Sequence, residues 1–201
     1  APGRILRVGG GGNARAASTQ ADATAAAATI DITGPVPVVT PLAPMPAALH
    51  WHTATVLADG RVAVTGGAFK SNQLVGVNPA ALLWDPATGA WSEGAATSSG
   101  RARLYHATAL LLPDASVLVA GGGAPGAQTN LDAEIFRPPY LHEASGALAT
   151  RPAIAAAPDD LAIGRDFDLI VETGAAVRRV TLVKTGSVTH SFNMDQRFLE
   201  L

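Results

Sequence analysis

The chain has 201 residues, 15% of them charged, and a formal net charge of −2 at pH 7. So small a net charge gives no reason to expect nucleic acid or an anionic membrane as a partner. The absence of cysteine excludes a disulfide framework and a thiol nucleophile within this sequence. No apolar run reaches the roughly 18 residues of a membrane-spanning helix, so we expect no membrane span.

The first predicted strand is the run 3–8, which is followed by a pair of glycines. This run matches the second half of a repeated unit that occurs twice more in the sequence. We therefore expect the sequence to begin inside a repeat and to be a piece of a longer protein. The stretch 14–28 is rich in alanine, threonine and serine and has no clear apolar face. It predicts an inserted loop that contains at most a helical turn, which its alanines favour.

Two longer copies of the unit occupy residues 51–67 and 105–122. Each has an aromatic residue next to a histidine, an apolar run, a turn at an aspartate, a β-branched run and a closing Gly-Gly. A further strand-like run follows each glycine pair, at 28–32, 81–85 and 133–136. After the middle run, Asp-Pro and Thr-Gly stand between Trp84 and Trp91, which predicts a hairpin turn.

The two longer copies can be aligned on their histidines. His52 and His106 are 54 positions apart, whereas the closing glycine pairs are 55 apart, and the extra residue is assigned to Pro113. This alignment places Trp51 opposite Tyr105. His52 therefore lacks a neighbouring phenol and is predicted to be structural.

About four strands of the usual 5–6 residues fit in a unit of this length, and propeller blades are built in this way. The order of the motifs resembles a kelch repeat, whose period is ~50 residues. We therefore predict an all-β fold in which residues 1–140 form a partial kelch-type β-propeller.

The pattern changes after the last repeat, which ends in a proline-rich exit at 136–141. Beyond it the runs 166–171 and 177–183 alternate between apolar and polar residues, as the strands of a sandwich do. We predict a second β domain over residues 141–201. Its closing phrase, 189–197, is polar where a core strand would be apolar.

Four motifs carry a resemblance to a known family. They are RLYHATALLLPD (103–114), AEIFRPPYL (133–141), RP (151–152) and THSFNMDQR (189–197). Together they resemble the galactose oxidase and glyoxal oxidase family of copper-radical oxidases. The match implies that the chain contains the last propeller blades of such a protein, followed over residues 141–201 by a partial immunoglobulin-like β-sandwich.

The resemblance implies one mononuclear copper ion, held by two histidines, an axial tyrosine and a second tyrosine cross-linked to a cysteine. Carried over by motif, Tyr105 is the axial tyrosine and the catalytic base, and His106 and His190 are the imidazole ligands. Imidazole nitrogen and phenolate oxygen suit Cu(II). Neighbouring residues of an extended strand point to opposite sides, so Tyr105 and His106 can share a metal only where the strand bends.

Other polar residues near these motifs are predicted to have supporting roles. The run 195–197 (Asp, Gln and Arg) is expected to brace the loop of His190, because metal-bound imidazoles need such partners. His50 and His142 are expected in solvated or turn positions and not as ligands.

The sequence departs from the family in one respect. It has no cysteine, and its two tyrosines are Tyr105 and Tyr140, of which Tyr140 lies in the proline-rich exit and does not match the cofactor tyrosine. The Tyr–Cys radical cofactor is therefore expected in a region upstream of this sequence, and the segment alone is expected to be inactive.

For the longer protein, the resemblance implies oxidation of a primary alcohol or aldehyde, including carbohydrate substrates, with O2 reduced to hydrogen peroxide. It also implies a secreted protein, which we expect to be a monomer. The alternative is a non-catalytic kelch propeller that binds carbohydrate or protein at the cell surface. Such a module would need neither copper nor its three ligands.

Overall fold

The computed structural model describes residues 3–11, 22–174 and 176–201. The predicted loop 14–28 falls partly outside these residues, and its last two positions belong to a strand. The strands are β1 (Arg4–Val8), β2 (Ala27–Asp31), β3 (Val38–Leu42), β4 (His50–Val56), β5 (Val62–Ala68), β6 (Ala80–Trp84), β7 (Trp91–Ala96), β8 (Ala107–Leu111), β9 (Val117–Gly121), β10 (Ala133–Phe136), β11 (Ala153–Ala156), β12 (Ile170–Glu172), β13 (Thr181–Lys184), β14 (Val188–Thr189), β15 (Phe192–Asn193) and β16 (Arg197–Glu200). A short 3-10 helix spans Pro139–Leu141. The all-β prediction is confirmed.

Three antiparallel sheets follow one another along the first part of the chain. We call them the first sheet (β1–β2–β3), the middle sheet (β4–β5–β6–β7) and the last sheet (β8–β9–β10). The predicted hairpin between β6 and β7 is confirmed, since Trp84 pairs with Trp91 and the N–H of Asp85 donates to the carbonyl of Ala90 at 3.0 Å. The kelch identity of these sheets remains a prediction, as does the domain boundary at 140/141.

The middle sheet packs against a neighbouring sheet on each of its faces. The cluster toward the first sheet contains Met45, Leu49, Val64 and Leu82, with Val8 beside them. The cluster toward the last sheet contains Leu57, Ala63, Leu83, Ala109, Leu111, Val117 and Val119. Successive side chains of a strand point to opposite faces, so Ala63 and Val64 belong to different clusters. This explains why β5 and β6 are buried along their whole length.

The strand pairing corrects the alignment of the two longer repeats. His52 pairs with Gly66 in the middle sheet, and Ala107 pairs with Gly121 in the last sheet. The ladders therefore superpose with a constant step of 55 positions, in which Pro113 is a regular turn residue and not an insertion. The structural counterpart of His52 is Ala107, so pairing His52 with His106 was wrong by one residue.

The C-terminal region contains three two-stranded sheets, β11–β12, β13–β16 and β14–β15. Its strands are shorter than the alternating runs 166–171 and 177–183 predicted, because ladder pairs form only at Ile170–Glu172 and Thr181–Lys184. Most side chains between 157 and 169 are exposed, so alternation there does not mark a buried face. No helix within the described ranges has the length and apolar character needed to cross a membrane.

Candidate metal centre

Tyr105 and His106 occupy the central positions of a turn that precedes β8. The N–H of Ala107 donates to the carbonyl of Leu104 at 2.9 Å, and His106 has a φ of 66°. A left-handed residue at this position reverses the chain, so the two side chains do not point to opposite sides as on a strand. Their rings stack, with centroids 3.6 Å apart and planes inclined at 30°. The bend that shared ligation requires is present.

His190 lies at the tip of a hairpin in the C-terminal region. Thr189 of β14 pairs with Phe192 of β15, which leaves His190 and Ser191 as a two-residue loop. Their φ values are 52° and 67°, and two successive positive φ values are typical of a type I′ turn. This turn directs the imidazole away from both strands.

The hairpin tip meets the turn before β8. The imidazole centroid of His190 is 5.5 Å from the ring of Tyr105 and 5.3 Å from that of His106. The structure therefore brings together all three predicted site residues from distant parts of the chain. Tyr105 is half-buried and both imidazoles are exposed, so the centre is accessible from solvent.

Each imidazole is oriented through its Nδ1 atom. Nδ1 of His106 is 2.9 Å from the carbonyl oxygen of Ala124, and because a carbonyl only accepts, Nδ1 carries the proton and Nε2 keeps its lone pair. Nδ1 of His190 is 2.6 Å from the hydroxyl oxygen of Thr189. Metal-ligating histidines are commonly held in this way, with the other nitrogen directed at the metal.

Trp51 is a member of the centre that sequence reasoning missed. Its ring meets the ring of Tyr105 edge-on, with centroids 4.6 Å apart, and its indole N–H donates to the hydroxyl of Ser71 at 2.8 Å. With the corrected repeat step, Trp51 is the counterpart of His106, and it too has a positive φ, of 56°. The constant 55-residue step was the signal that could have identified it.

Unusual backbone conformations are concentrated here. Among the described residues, six non-glycine residues have positive φ, and all but Ala115 lie at this centre: Trp51, Asn72, His106, His190 and Ser191. Such conformations are costly for residues with a Cβ and cluster at functional sites. The concentration favours a functional role for the centre over simple packing.

Two amides dock the hairpin of His190 on the middle sheet. The side chain of Gln196 accepts from the N–H of Val56 at 2.8 Å and donates to its carbonyl at 2.7 Å. Asn193 donates to the carbonyl of Ala54 at 3.2 Å. These groups satisfy the free edge of β4 as another strand would. The bracing role predicted for Gln196 is present, and Asn193 shares it.

The neighbours of Gln196 act differently. Arg197 donates to the carbonyl of Met194 at 2.9 Å, which closes the loop on itself. Asp195 forms an exposed ion pair with Lys184 at 2.8 Å. This ion pair ties the segment after β15 to β13, and the bracing role of Asp195 toward His190 stays a prediction.

Arg103 anchors the turn that follows it. Its guanidinium is 4% exposed and donates to both carboxylate oxygens of Asp132 at 3.1 Å and to Glu134 at 3.2 Å. This hydrogen bonding lowers the pKa of the Asp132 carboxyl. The carbonyl of Arg103 also accepts from the N–H of Gly67 in the middle sheet at 2.7 Å. The turn is therefore fixed to both sheets.

The other histidines are not part of the centre. His52 is 6% exposed, and burial lowers its pKa to about 4 although its Nε2 lies 3.2 Å from the carbonyl of Val8. This agrees with its predicted structural role. His50 is only 5% exposed, so the expectation that it is solvated or in a turn was wrong: it belongs to β4 and pairs with Ala68. His142 flanks the turn 143–146: its backbone is extended, it pairs with Leu148, and its Nδ1 lies 3.1 Å from the carbonyl of Gly146.

Tyr140 is not part of the centre either. Its hydroxyl donates to the carbonyl of Ala115 at 2.6 Å, and its ring packs against the cluster between the middle and last sheets. Burial raises its pKa to about 12, which disfavours a phenolate. Tyr140 is a packing residue.

The donor set fits copper. Within the described ranges no three side chains of the His, Cys, Asp or Glu type gather in a metal-binding arrangement, so a metal here would depend on two imidazoles and one phenol. Imidazole nitrogens with an oxygen ligand suit tetragonal Cu(II). Tyr105, His106 and His190 supply these atoms.

Comparison with known proteins identifies the class. Residues 151–201 match the family described as Galactose oxidase-like, Early set domain. The chain is 33% identical over 156 residues to galactose oxidase of Gibberella zeae, a match that covers 75% of this chain and 22% of that protein. It is 36% identical over 109 residues to the aldehyde oxidase GLOX of Vitis pseudoreticulata, covering 49% and 20% respectively.

A solved structure agrees along almost the whole chain. A fungal alcohol oxidase of the AA5 family, in complex with copper, superposes with a TM-score of 0.86 and 29% identity, covering 98% of this chain and 42% of that chain. The chain spans about a fifth of the length of the curated relatives. It is homologous to galactose oxidase and glyoxal oxidase, as its motifs predicted, and it ends in a galactose oxidase-like early set domain.

Proposed function

We propose that this chain is part of a copper-radical oxidase and that Tyr105, His106 and His190 hold its single copper ion. The observation that carries the proposal is the convergence of three rings, from a turn and a separate hairpin, within 6 Å of one another. A surface-binding propeller has no need for two converging imidazoles, one of which, His106, is anchored at Nδ1 and leaves Nε2 open.

The overall reaction removes two hydrogen atoms from a primary alcohol, or from the hydrate of an aldehyde, and transfers them to O2, which becomes hydrogen peroxide. Copper, together with a Tyr–Cys radical cofactor supplied by residues outside this sequence, would accept the two electrons. In its phenolate form, the oxygen of Tyr105 would receive the proton of the substrate hydroxyl.

The protein groups divide the remaining tasks. Trp51 fixes the ring plane of Tyr105 through an edge-on contact, which keeps the phenol oxygen aimed at one place. The carbonyl of Ala124 fixes the tautomer of His106. The amide of Gln196 holds the His190 hairpin against β4. A site built on such fixed elements needs little rearrangement when substrate arrives.

The natural substrates are proposed to be small alcohols, aldehydes or carbohydrates, by analogy with the galactose oxidase, the aldehyde oxidase and the alcohol oxidase that the chain resembles. We place the protein outside the cell and treat it as a monomer on the family resemblance alone.

Copper titration of the present chain, followed by electron paramagnetic resonance, tests the ligand set. We expect one equivalent of Cu(II) with hyperfine coupling to two nitrogens, and His190→Ala should reduce this to one nitrogen. His142→Ala is the matched control, because that histidine is held by the carbonyl of Gly146 and belongs to neither the turn before β8 nor the hairpin of His190. An unchanged spectrum in His190→Ala would contradict the assignment of His190 as a copper ligand.

The reaction itself is tested in the longer protein. Tyr105→Phe should retain copper and lose alcohol-dependent peroxide formation, because it removes the base and leaves both imidazoles. Peroxide formation at the wild-type rate in this variant would contradict the role of Tyr105.

A further inference from the structure

A loop of the middle sheet reaches the turn that carries Tyr105. It runs from Phe69 to Gly76, and it is closed by backbone bonds from Phe69 to Gly76 at 3.0 Å and from Lys70 to Val75 at 3.2 Å. Asn72 lies within this loop with a φ of 45°. Asparagine tolerates the left-handed region better than other residues with a Cβ, so the loop can present this amide without a glycine.

The amide of Asn72 completes a closed ring of hydrogen bonds. Its oxygen accepts from the N–H of Tyr105 at 3.3 Å. The carbonyl of Tyr105 accepts from the N–H of Gly123 at 2.6 Å. The carbonyl of Gly123 accepts from the Asn72 amide nitrogen at 3.4 Å. Both backbone groups of Tyr105 are thereby held, one of them directly by Asn72.

The same amide nitrogen makes its shortest bond to the carbonyl of Pro125, at 2.5 Å. Asn72 thus holds the carbonyls of Gly123 and Pro125, the residues on either side of Ala124. The carbonyl of Ala124 is the group that fixes Nδ1 of His106. One side chain therefore supports the backbone of Tyr105 and the carbonyl that orients His106.

The loop after β9 is shaped around this amide. A Cβ on Gly126 would lie 2.5 Å from the Asn72 amide nitrogen and 2.4 Å from the carbonyl oxygen of Gly123. Only glycine leaves room for the Asn72 side chain at that position. The contact between the two loops therefore depends on Asn72 in one loop and on Gly126 in the other.

We propose that Asn72 is a positioning residue that holds Tyr105 and His106 in register for the metal. The inference rests on the proposed function, because it assigns the purpose of this arrangement to copper ligation. Asn72 touches neither substrate nor metal: it acts through Tyr105 and through Ala124. Its role requires an acceptor on one side and a donor on the other, and only a primary amide of this length provides both.

Two substitutions test the acceptor and the donor functions of the Asn72 amide. Asn72→Gly suits the positive φ and removes both groups, whereas Asn72→Asp keeps the acceptor for Tyr105 and loses the donor to Gly123 and Pro125. Gln73→Ala is the matched control, since Gln73 is the exposed neighbour in the same loop. Loss of an orienting partner typically weakens metal binding 10–100-fold. We expect about a tenfold or greater loss of Cu(II) affinity in both variants and none in the control.

A copper-free readout makes the test independent of the metal. Nitrogen-15 NMR of the copper-free protein reports which nitrogen of His106 carries the proton. We expect the Nδ1–H form in wild type and Gln73→Ala, and a mixture of tautomers in Asn72→Gly and Asn72→Asp. The near-isosteric aspartate variant retains the fold if the glycine variant does not.

The two proposals can fail separately. Wild-type protein that binds no copper would overturn the proposed function, while the tautomer of His106 would still decide whether Asn72 positions it. Wild-type copper affinity together with an unchanged His106 tautomer in both Asn72 variants would overturn the role of Asn72 and leave the proposed function standing.

Discussion

Two bends with a left-handed residue occupy equivalent positions of the repeats, the earlier turn at Trp51 inside β4 and the later turn at His106 just before β8, but their surroundings differ. His50 and His52 flank the earlier turn, and both are buried. A Cβ on Gly9 would lie 2.6 Å from Cε1 of His52, and one on Gly11 would lie 2.1 Å from Cε1 of His50. Gly9 and Gly11 therefore lie directly against these two imidazoles and seal them.

The later turn is open to solvent. Tyr105 stands where the earlier turn has His50, and His106 stands where it has Trp51, with φ values of 66° and 56° at the latter two positions. Both bends thus contain a left-handed residue at the same repeat position. The comparison teaches that the fold supplies the bend in each unit, whereas exposure and the approach of His190 make one of them a candidate metal centre.

The largest expected effect is a difference in Cu(II) affinity between variants of the later turn and variants of the earlier turn. His106→Ala should weaken Cu(II) binding on the order of 1000-fold, more than the 10–100-fold typical of an orienting partner, because it removes a ligand. His52→Gln in the earlier turn should leave the affinity within about twofold, because its imidazole is buried against the carbonyl of Val8. Titration of both variants measures this, and equal losses would show that the turns are not functionally distinct.

The next effect is the pH dependence of the sealed turn. Burial lowers the pKa of His52 from 6.5 to about 4, so the folded protein keeps it neutral where the unfolded chain protonates it. Its contribution is fully present above pH 6.5 and is lost as pH falls toward 4, about 3 kcal/mol of unfolding free energy in total. Urea unfolding at several pH values measures the slope.

His52→Gln provides the control for this slope, because glutamine can still donate to Val8 and does not titrate. The variant should show a flatter profile between pH 6.5 and 4.5. A slope identical to that of wild type would mean that the sealed histidine does not cause it.

A smaller effect tests the seal itself. Gly9→Ala places a Cβ 2.6 Å from His52 and 2.9 Å from the carbonyl of Leu49 at a φ of 57°, which should cost about 2 kcal/mol or more. Gly10→Ala is the matched control, with a positive φ of 85° and no atom within 4 Å. Thermal unfolding should rank Gly9→Ala below Gly10→Ala, with copper affinity unchanged in both. The reverse ranking would contradict the account of the seal.

The smallest effect concerns the link between the two turns. Ser71→Ala removes the acceptor of the Trp51 indole, at 2.8 Å, and should cost about 1 kcal/mol. Ser71→Thr keeps the hydroxyl and should restore most of this loss in chemical denaturation. Stability equal to wild type in the alanine variant would show that the hydrogen bond does not hold Trp51 in place.

Local patterns predicted much of the fold. The Asp-Pro and Thr-Gly pairs fixed the hairpin between β6 and β7, and the strand 133–136 was predicted with its observed bounds. The repeat register was missed by one residue, because aligning identical histidines overrode the ladder pairing, in which Gly66 faces His52. Register depends on contacts between strands that a single sequence does not display.

The candidate site was predicted only in part, because some of its residues meet through contacts between sheets that the sequence does not display. Motif resemblance selected Tyr105, His106 and His190, which the fold brings together. Asn72 carries no motif and reaches the centre through a loop, whereas Trp51 lies in β4, and the contact of both with Tyr105 depends on the stacking of the middle and last sheets. Their positive φ values, 45° and 56°, are also invisible in the sequence.

Diffraction at the copper absorption edge, from crystals of the copper-loaded chain, tests the central claim most directly. The account predicts one strong anomalous peak within bonding distance of Nε2 of His106, Nε2 of His190 and the phenol oxygen of Tyr105. A peak beside His50 or His52, or bound copper with no peak between these three side chains, would contradict it.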